Sequence, residues 1–186
     1  MNYYTRLQEN GYLRLTGRVP DDRISAALRI INLDLFRDGL SRREIIWWRD
    51  VANWFPHLRT HPDITKLTTY IPDNLRQGTA CEPQILLGLP DEEEGEIHFH
   101  KDEPPPWANG RPYRTIVGVA LTRQTKKNGG VIFQPFNTDE PFAAELLAGD
   151  IFVMHPDLEH AGGYNMSGDV RYVVYFRFLD DVEETE

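Results

Sequence analysis

The sequence predicts an α+β protein in which a helical N-terminal block precedes a double-sheet barrel or jelly roll. Three observations carry that reading. Apolar residues recur at helical intervals in the first 70 or so positions. From about Gln84 the period changes to two. Each apolar run after that point is bounded by Gly, Pro, Asn or Asp, as strands joined by turns should be.

The elements follow in order. Tyr12-Leu13-Arg14-Leu15-Thr16 alternates as a short strand and is broken by Gly17 and Pro20. Asp21 or Asp22 then caps a helix with Ile24, Ala27, Leu28, Ile31 and Leu35 on one face, ending near Gly39. Ser41, with Glu44 as its capping-box partner, opens a second helix. Its stripe is Ile45, Trp48, Val51, Ala52 and Phe55, and Trp47 and Trp48 are read as helix packing. A third, shorter helix runs from about Pro62 to before Pro72. Strands are predicted at 84–89, 96–100, 113–121, 131–136, 142–147, 150–155 and 171–178, with a further short one at 159–164. The chain of 186 residues is read as a single domain: 1–80 a mainly helical flank, 81–179 the β-barrel core, 180–186 an acidic tail.

Composition narrows the function. There are 20 basic and 29 acidic residues, a formal charge of −9. Lys126-Lys127 and Arg111/Arg114 are too few to form the basic footprint that nucleic acid or an anionic membrane requires. The lone cysteine, Cys81, cannot close an intramolecular disulfide, and the N-terminus shows no apolar stretch of signal-peptide length. No apolar run approaches the ~20 residues of a membrane span. A cytoplasmic protein is expected. No phosphate-binding Gly loop, nucleophile elbow or Cys-His zinc pattern is present.

Histidines carry the remaining chemistry. With six histidines and 29 acids in 186 residues, about 0.9 His-x-Asp/Glu patterns are expected by composition. The chain has three: His61-Pro62-Asp63, His100-Lys101-Asp102 and His155-Pro156-Asp157. The first sits at a helix start, where Pro and an early acid are structural choices. The third lies only five residues before His160. His100-Lys101-Asp102 ends a predicted strand, precedes the stiff Pro104-Pro105-Pro106, and stands 60 residues before His160, enough for intervening strands to bring the two ends together. His-x-Asp plus a distant His is a donor set for a divalent iron, with open positions left for oxygen and a cosubstrate. Strand-face histidines commonly serve packing, so the reading needs a second feature. Arg171 provides it: it opens the last strand on the face of Val173 and Tyr175, 11 residues past His160. A guanidinium there suits a carboxylate.

These residues resemble the phytanoyl-CoA dioxygenase-like family of Fe(II)/2-oxoglutarate-dependent oxygenases over nearly the whole chain. The similar segments are Asn10-Gly11-Tyr12-Leu13-Arg14-Leu15-Thr16-Gly17 with Pro20, His100-Lys101-Asp102, 116–122, and Asn128-Gly129-Gly130-Val131. The most specific stretch is Gly149-Asp150 through His155, then His160, Asn165 and Arg171. The chain departs from the family at Phe99, where Trp is common. Gly162 replaces a hydroxyl residue, and Gln134-Pro135-Phe136-Asn137 replaces a Pro-Gly-Ser-His segment.

The resemblance implies a double-stranded β-helix (a jelly-roll, cupin-like barrel) with flanking N-terminal helices. It implies iron ligands His100, Asp102 and His160, with Arg171 holding the distal carboxylate of 2-oxoglutarate. Asp102 favours oxygenation over halogenation, since the family's halogenases lack that carboxylate. The implied activity is hydroxylation of a small or medium-sized organic molecule by oxygen, with release of succinate and CO2. Gln84 is a candidate for the cosubstrate and Trp107 for the substrate; solvent exposure and loop anchoring are their structural alternatives. Two other functions fit the pattern. One is a cupin-type metal enzyme using His98, His100, Glu103 and His160 without a keto acid. The other is a non-catalytic jelly-roll binding module.

Overall fold

Alternation along the strands decides the architecture, because each strand carries one apolar face toward helices and another toward a second sheet. The computed structural model describes residues 3–37, 49–91 and 93–181. Its elements are α1 (Tyr3–Asn10), β1 (Tyr12–Leu15), α2 (Asp21–Arg37), β2 (Arg49–Asp50), α3 (Pro62–Thr65), β3 (Thr79–Ala80), β4 (Gln84–Gly88), β5 (Tyr113–Ala120), β6 (Val131–Phe133), β7 (Phe142–Ala143), β8 (Ile151–Met154), β9 (His160–Gly162) and β10 (Arg171–Leu179). The larger sheet has the order β1-β8-β5-β10-β4-β2, with β3 also on β10, and the smaller has the order β7-β6-β9. Every pairing is antiparallel.

Two apolar layers result. Val117, Val119, Val153, Val174 and Phe176 pack with Ile24, Ala27 and Ile31 of α2. Their sequence neighbours Ile116, Ala120, Phe152, Met154, Val173 and Tyr175 join Val131 and Phe133 of the smaller sheet. The period of two is the cause: a register slip of one residue would exchange the layers. Arg171 and Arg177 stand on the same β10 face as Val173 and Tyr175 and so point away from the helices.

α2 begins at Asp21, so Asp21 and Asp22 lie in its first turn and Pro20 takes the cap position expected of them, its carbonyl accepting from Arg23 and Ile24. α3 begins at Pro62 and continues as a 3-10 turn over Lys66–Tyr70. Other expectations are corrected. The predicted helix at 41–55 lies partly outside the described residues, Trp47 and Trp48 included. Its C-terminal part forms β2, paired with Leu86 and Leu87, and then a 3-10 turn at Val51–Asn53. Val51, Ala52 and Phe55 are buried nonetheless, while Pro56 holds Phe55 out of the helical conformation.

The predicted strand at 96–100 is absent except for one antiparallel bridge, His100 to His160. Most of the segment is exposed, so no buried face holds it in register. β6 and β7 are also shorter than predicted; Pro135 lacks the N–H that would extend β6. α1 was not foreseen. Only Leu7 of its residues is buried, and Gly11 at φ +79 terminates it.

Two sequence features have structural functions. Asp150 is 1% exposed; it accepts from Arg14 and from the backbone N–H groups of Gly17 and Leu147. Gly118 faces Phe152 across β5 and β8, and a Cβ there would lie 2.0 Å from the Phe152 ring. Gly118→Ala should therefore destabilise the fold by at least about 1–3 kcal/mol through overpacking. Urea denaturation measures this, and a change under about 0.5 kcal/mol would contradict the packing described.

Candidate metal centre

Three side chains from two distant parts of the chain converge at one end of the smaller sheet. His160 lies on β9, and His100 bridges its free edge. The His100 N–H donates to the His160 carbonyl at 2.9 Å, and the His160 N–H returns the bond at 3.0 Å. Directly opposed antiparallel residues project to the same side. The imidazole centroids are accordingly 4.6 Å apart. Asp102, two residues beyond His100, brings Oδ1 to 3.8 Å from His100 Nε2 and 3.7 Å from His160 Nε2. Among the described residues, His100, Asp102 and His160 form a group of potential metal donors with ligand atoms within 4.8 Å of one another.

The donor chemistry fits a divalent transition metal. Distances of 3.7–3.8 Å are too long for hydrogen bonds, yet a single ion ~2.0–2.2 Å from each atom can reach both members of such a pair. His160 Nδ1 faces the Leu158 carbonyl at 3.1 Å and His100 Nδ1 the His98 carbonyl at 3.4 Å. Each backbone contact favours the proton on Nδ1 and leaves Nε2 as a lone-pair donor. Burial pushes the His160 pKa down, keeping the ring neutral; the Leu158 carbonyl and Asp102 oppose that effect and His100 and Arg177 reinforce it. Two imidazoles and one carboxylate on one side leave the other side of an ion open.

Asp102 is held by a residue that the sequence reading overlooked. Arg177 Nε and Nη2 donate to Asp102 Oδ2 at 2.9 and 2.7 Å. Arg177 Nη1 donates to Gln84 Oε1 at 2.5 Å. Its guanidinium lies 5.4 Å from the Tyr175 ring centroid and 5.9 Å from that of Tyr113. The inward face of β10 carried the clue, since Arg177 is six residues beyond Arg171 at period two.

These groups line a cavity of about 540 Å³ that also includes Glu96, His98, Glu103 and Tyr164. Gln84 lies in its wall. His98 and Glu103 line it without joining the three-residue cluster. Trp107 is half exposed and borders a separate cavity of about 160 Å³ that shares Gln84, Tyr113 and Arg177 with the larger one.

Arg171 does not line the main cavity. It is 1% exposed, its Nη1 donates to Gln124 Oε1 at 3.2 Å, and Gly88 leaves it room: a Cβ there would lie 3.0 Å from Nε. Complete burial lowers its pKa to about 9, against the favourable influence of Tyr175 and Asp91, and burial also raises Tyr175 to about 12.

The other two His-x-Asp patterns are local turns. His61 Nδ1 accepts from the Asp63 N–H at 3.2 Å and caps α3; His155 Nδ1 accepts from the Asp157 N–H at 3.1 Å. In both, Pro occupies the middle position. Asn165 is likewise structural, donating to the Gly88 and Asp169 carbonyls and accepting from Ser167.

No protein-family model and no curated protein matches the chain. Solved structures share its fold. The chain is similar to the epimerase SnoN in complex with Fe3+, alpha ketoglutarate and nogalamycin RO: 18% identity and TM-score 0.64 over 98% of this chain and 90% of that one. It is similar to EvdO2 from Micromonospora carbonacea var. aurantiaca complexed with 2-oxoglutarate: 18% identity and TM-score 0.66, covering 98% and 93%. It is also similar to HygX from Streptomyces hygroscopicus with nickel and 2-oxoglutarate bound: 12% identity and TM-score 0.67, covering 95% and 85%. Among the described residues, no helix is long and apolar enough to cross a membrane.

Calorimetric titration with Mn(II) should show one site per chain. Asp102→Ala and His160→Ala should weaken it at least about 100-fold, whereas His61→Ala and His155→Ala should retain it. Equal losses from the capping histidines would contradict the assignment.

Proposed function

We propose that this chain is an Fe(II)- and 2-oxoglutarate-dependent oxygenase of the phytanoyl-CoA dioxygenase-like type, built on a double-stranded β-helix. The convergence of His100, Asp102 and His160 on one cavity is the observation that carries the reading. Three fold neighbours are described with iron, nickel or 2-oxoglutarate bound, which supports the same chemistry. We take 1–186 as one catalytic domain, with most barrel strands in 81–179 and a mainly helical flank in 1–80 that also lends β1, β2 and β3 to the larger sheet. The cytoplasm, with its reducing conditions, is the proposed compartment, in keeping with the lone Cys81.

His100 and His160 would hold the iron through Nε2 and Asp102 through Oδ1. Bound there, iron and 2-oxoglutarate would supply the oxidising chemistry, which with oxygen would convert the keto acid to succinate and CO2 and a substrate C–H bond to C–OH. The protein contributes placement. Backbone carbonyls orient both imidazoles, and Arg177 orients the carboxylate. Arg171 is assigned the distal carboxylate of 2-oxoglutarate. It shares the inward β10 face with Tyr175, which lines the cavity, and an anion beside so buried a cation would favour its charged form. Gln84 and Trp107 border the region where cosubstrate and substrate would meet. The cavity of about 540 Å³ suits a small or medium-sized organic substrate.

The test is succinate formation from Fe(II), oxygen and 2-oxoglutarate, with or without an added substrate. Wild-type protein should form succinate and His160→Ala should not. Arg171→Ala should require roughly 10- to 100-fold more 2-oxoglutarate, as expected on removing a hydrogen bond to a charged group. Metal binding without keto-acid turnover would favour the cupin-type reading, and no metal binding would leave the jelly-roll binding module.

A further inference from the structure

Resting on the reading of His100, Asp102 and His160 as metal ligands, we propose that Arg177 is a positioning residue of the metal centre. It occupies Asp102 Oδ2 so that only Oδ1 reaches the ion, and Gln84 holds Arg177 in that role. A carboxylate can grip a metal through one oxygen or two, and the two-oxygen mode would consume a position otherwise left for co-reactants. In this structure the choice is already made. Oδ1 faces both imidazole nitrogens at 3.7 and 3.8 Å, while Oδ2 accepts two bonds from Arg177 at 2.9 and 2.7 Å.

The geometry resists rearrangement. Three Arg177 N–H donors engage two side chains: Nε and Nη2 bind Asp102, and the remaining nitrogen, Nη1, binds Gln84. The Tyr175 and Tyr113 rings flank it. The Asp102 and Arg177 side chains are only 15% and 11% exposed, so water competes little for Oδ2. Gln84 and Tyr175 are direct partners in the β4–β10 register, and Arg177 follows two residues later on the same face. Gln84 thus acts on the metal through Arg177.

The experiment uses Mn(II) alone with the full-length protein and reads water-proton relaxation at saturating metal, which counts the waters remaining on the ion. A three-ligand site leaves roughly three of about six positions to water. Arg177→Met should lower that signal by roughly a third, as the freed oxygen replaces one water. Arg177→Lys should retain the wild-type signal, because the ammonium still engages Oδ2. If Arg177→Met fails to fold, Gln84→Leu serves instead and should fall between the wild-type signal and a one-third loss. Either variant at the wild-type signal would overturn the proposal. Wild-type protein that binds Mn(II) but does not lose water on addition of 2-oxoglutarate would refute the cosubstrate reading and leave the Arg177 proposal standing. Wild-type protein that does not bind Mn(II) would overturn both.

Discussion

The paired backbone hydrogen bonds between His100 and His160 are the constraint on which the site depends. They join the end of an exposed, irregular segment to the edge of β9, and opposed antiparallel residues project to one side. One local contact therefore brings together two imidazoles 60 positions apart, and Asp102 follows at the spacing that reaches both. Without this bridge, the segment before His100 has no buried face to fix its position.

A second layer of control surrounds the three side chains. Backbone carbonyls of Leu158 and His98 set the histidine rings, and Arg177 sets the carboxylate. Each of the three groups has a protein partner that orients it. Preorganisation of this kind lowers the reorganisation a ligand would otherwise demand. The sheets provide the frame. β10 pairs with β3, β4 and β5, so the strand bearing Arg171, Tyr175 and Arg177 is held on both sides.

Much of this organisation was legible in the sequence wherever a repeating apolar pattern met a buried face. β5, β8 and β10 are apolar runs buried on both faces and bounded by turn residues, and α2 carries an unbroken stripe. The three His-x-Asp patterns were separable in the sequence, the first by its place at a helix start and the third by its closeness to His160; in both the ring nitrogen accepts from the Asp backbone, whereas His100 and Asp102 face one cavity. What escaped notice depends on tertiary context. α1 buries only Leu7 and has no stripe to reveal it, and β2 forms through pairing with β4. The 96–100 segment alternates in sequence but stays open to solvent. Arg177 was detectable only by extending the register of Arg171 and Tyr175 by one more step, and its pairing with Asp102 required the fold.

The most direct measurement is anomalous diffraction from anaerobic crystals loaded with Fe(II). One iron peak is expected within bonding distance of His100 Nε2, His160 Nε2 and a single Asp102 oxygen, with no other protein ligand. A peak that engages His98 or Glu103, one that lies elsewhere, or no peak at full loading would contradict it.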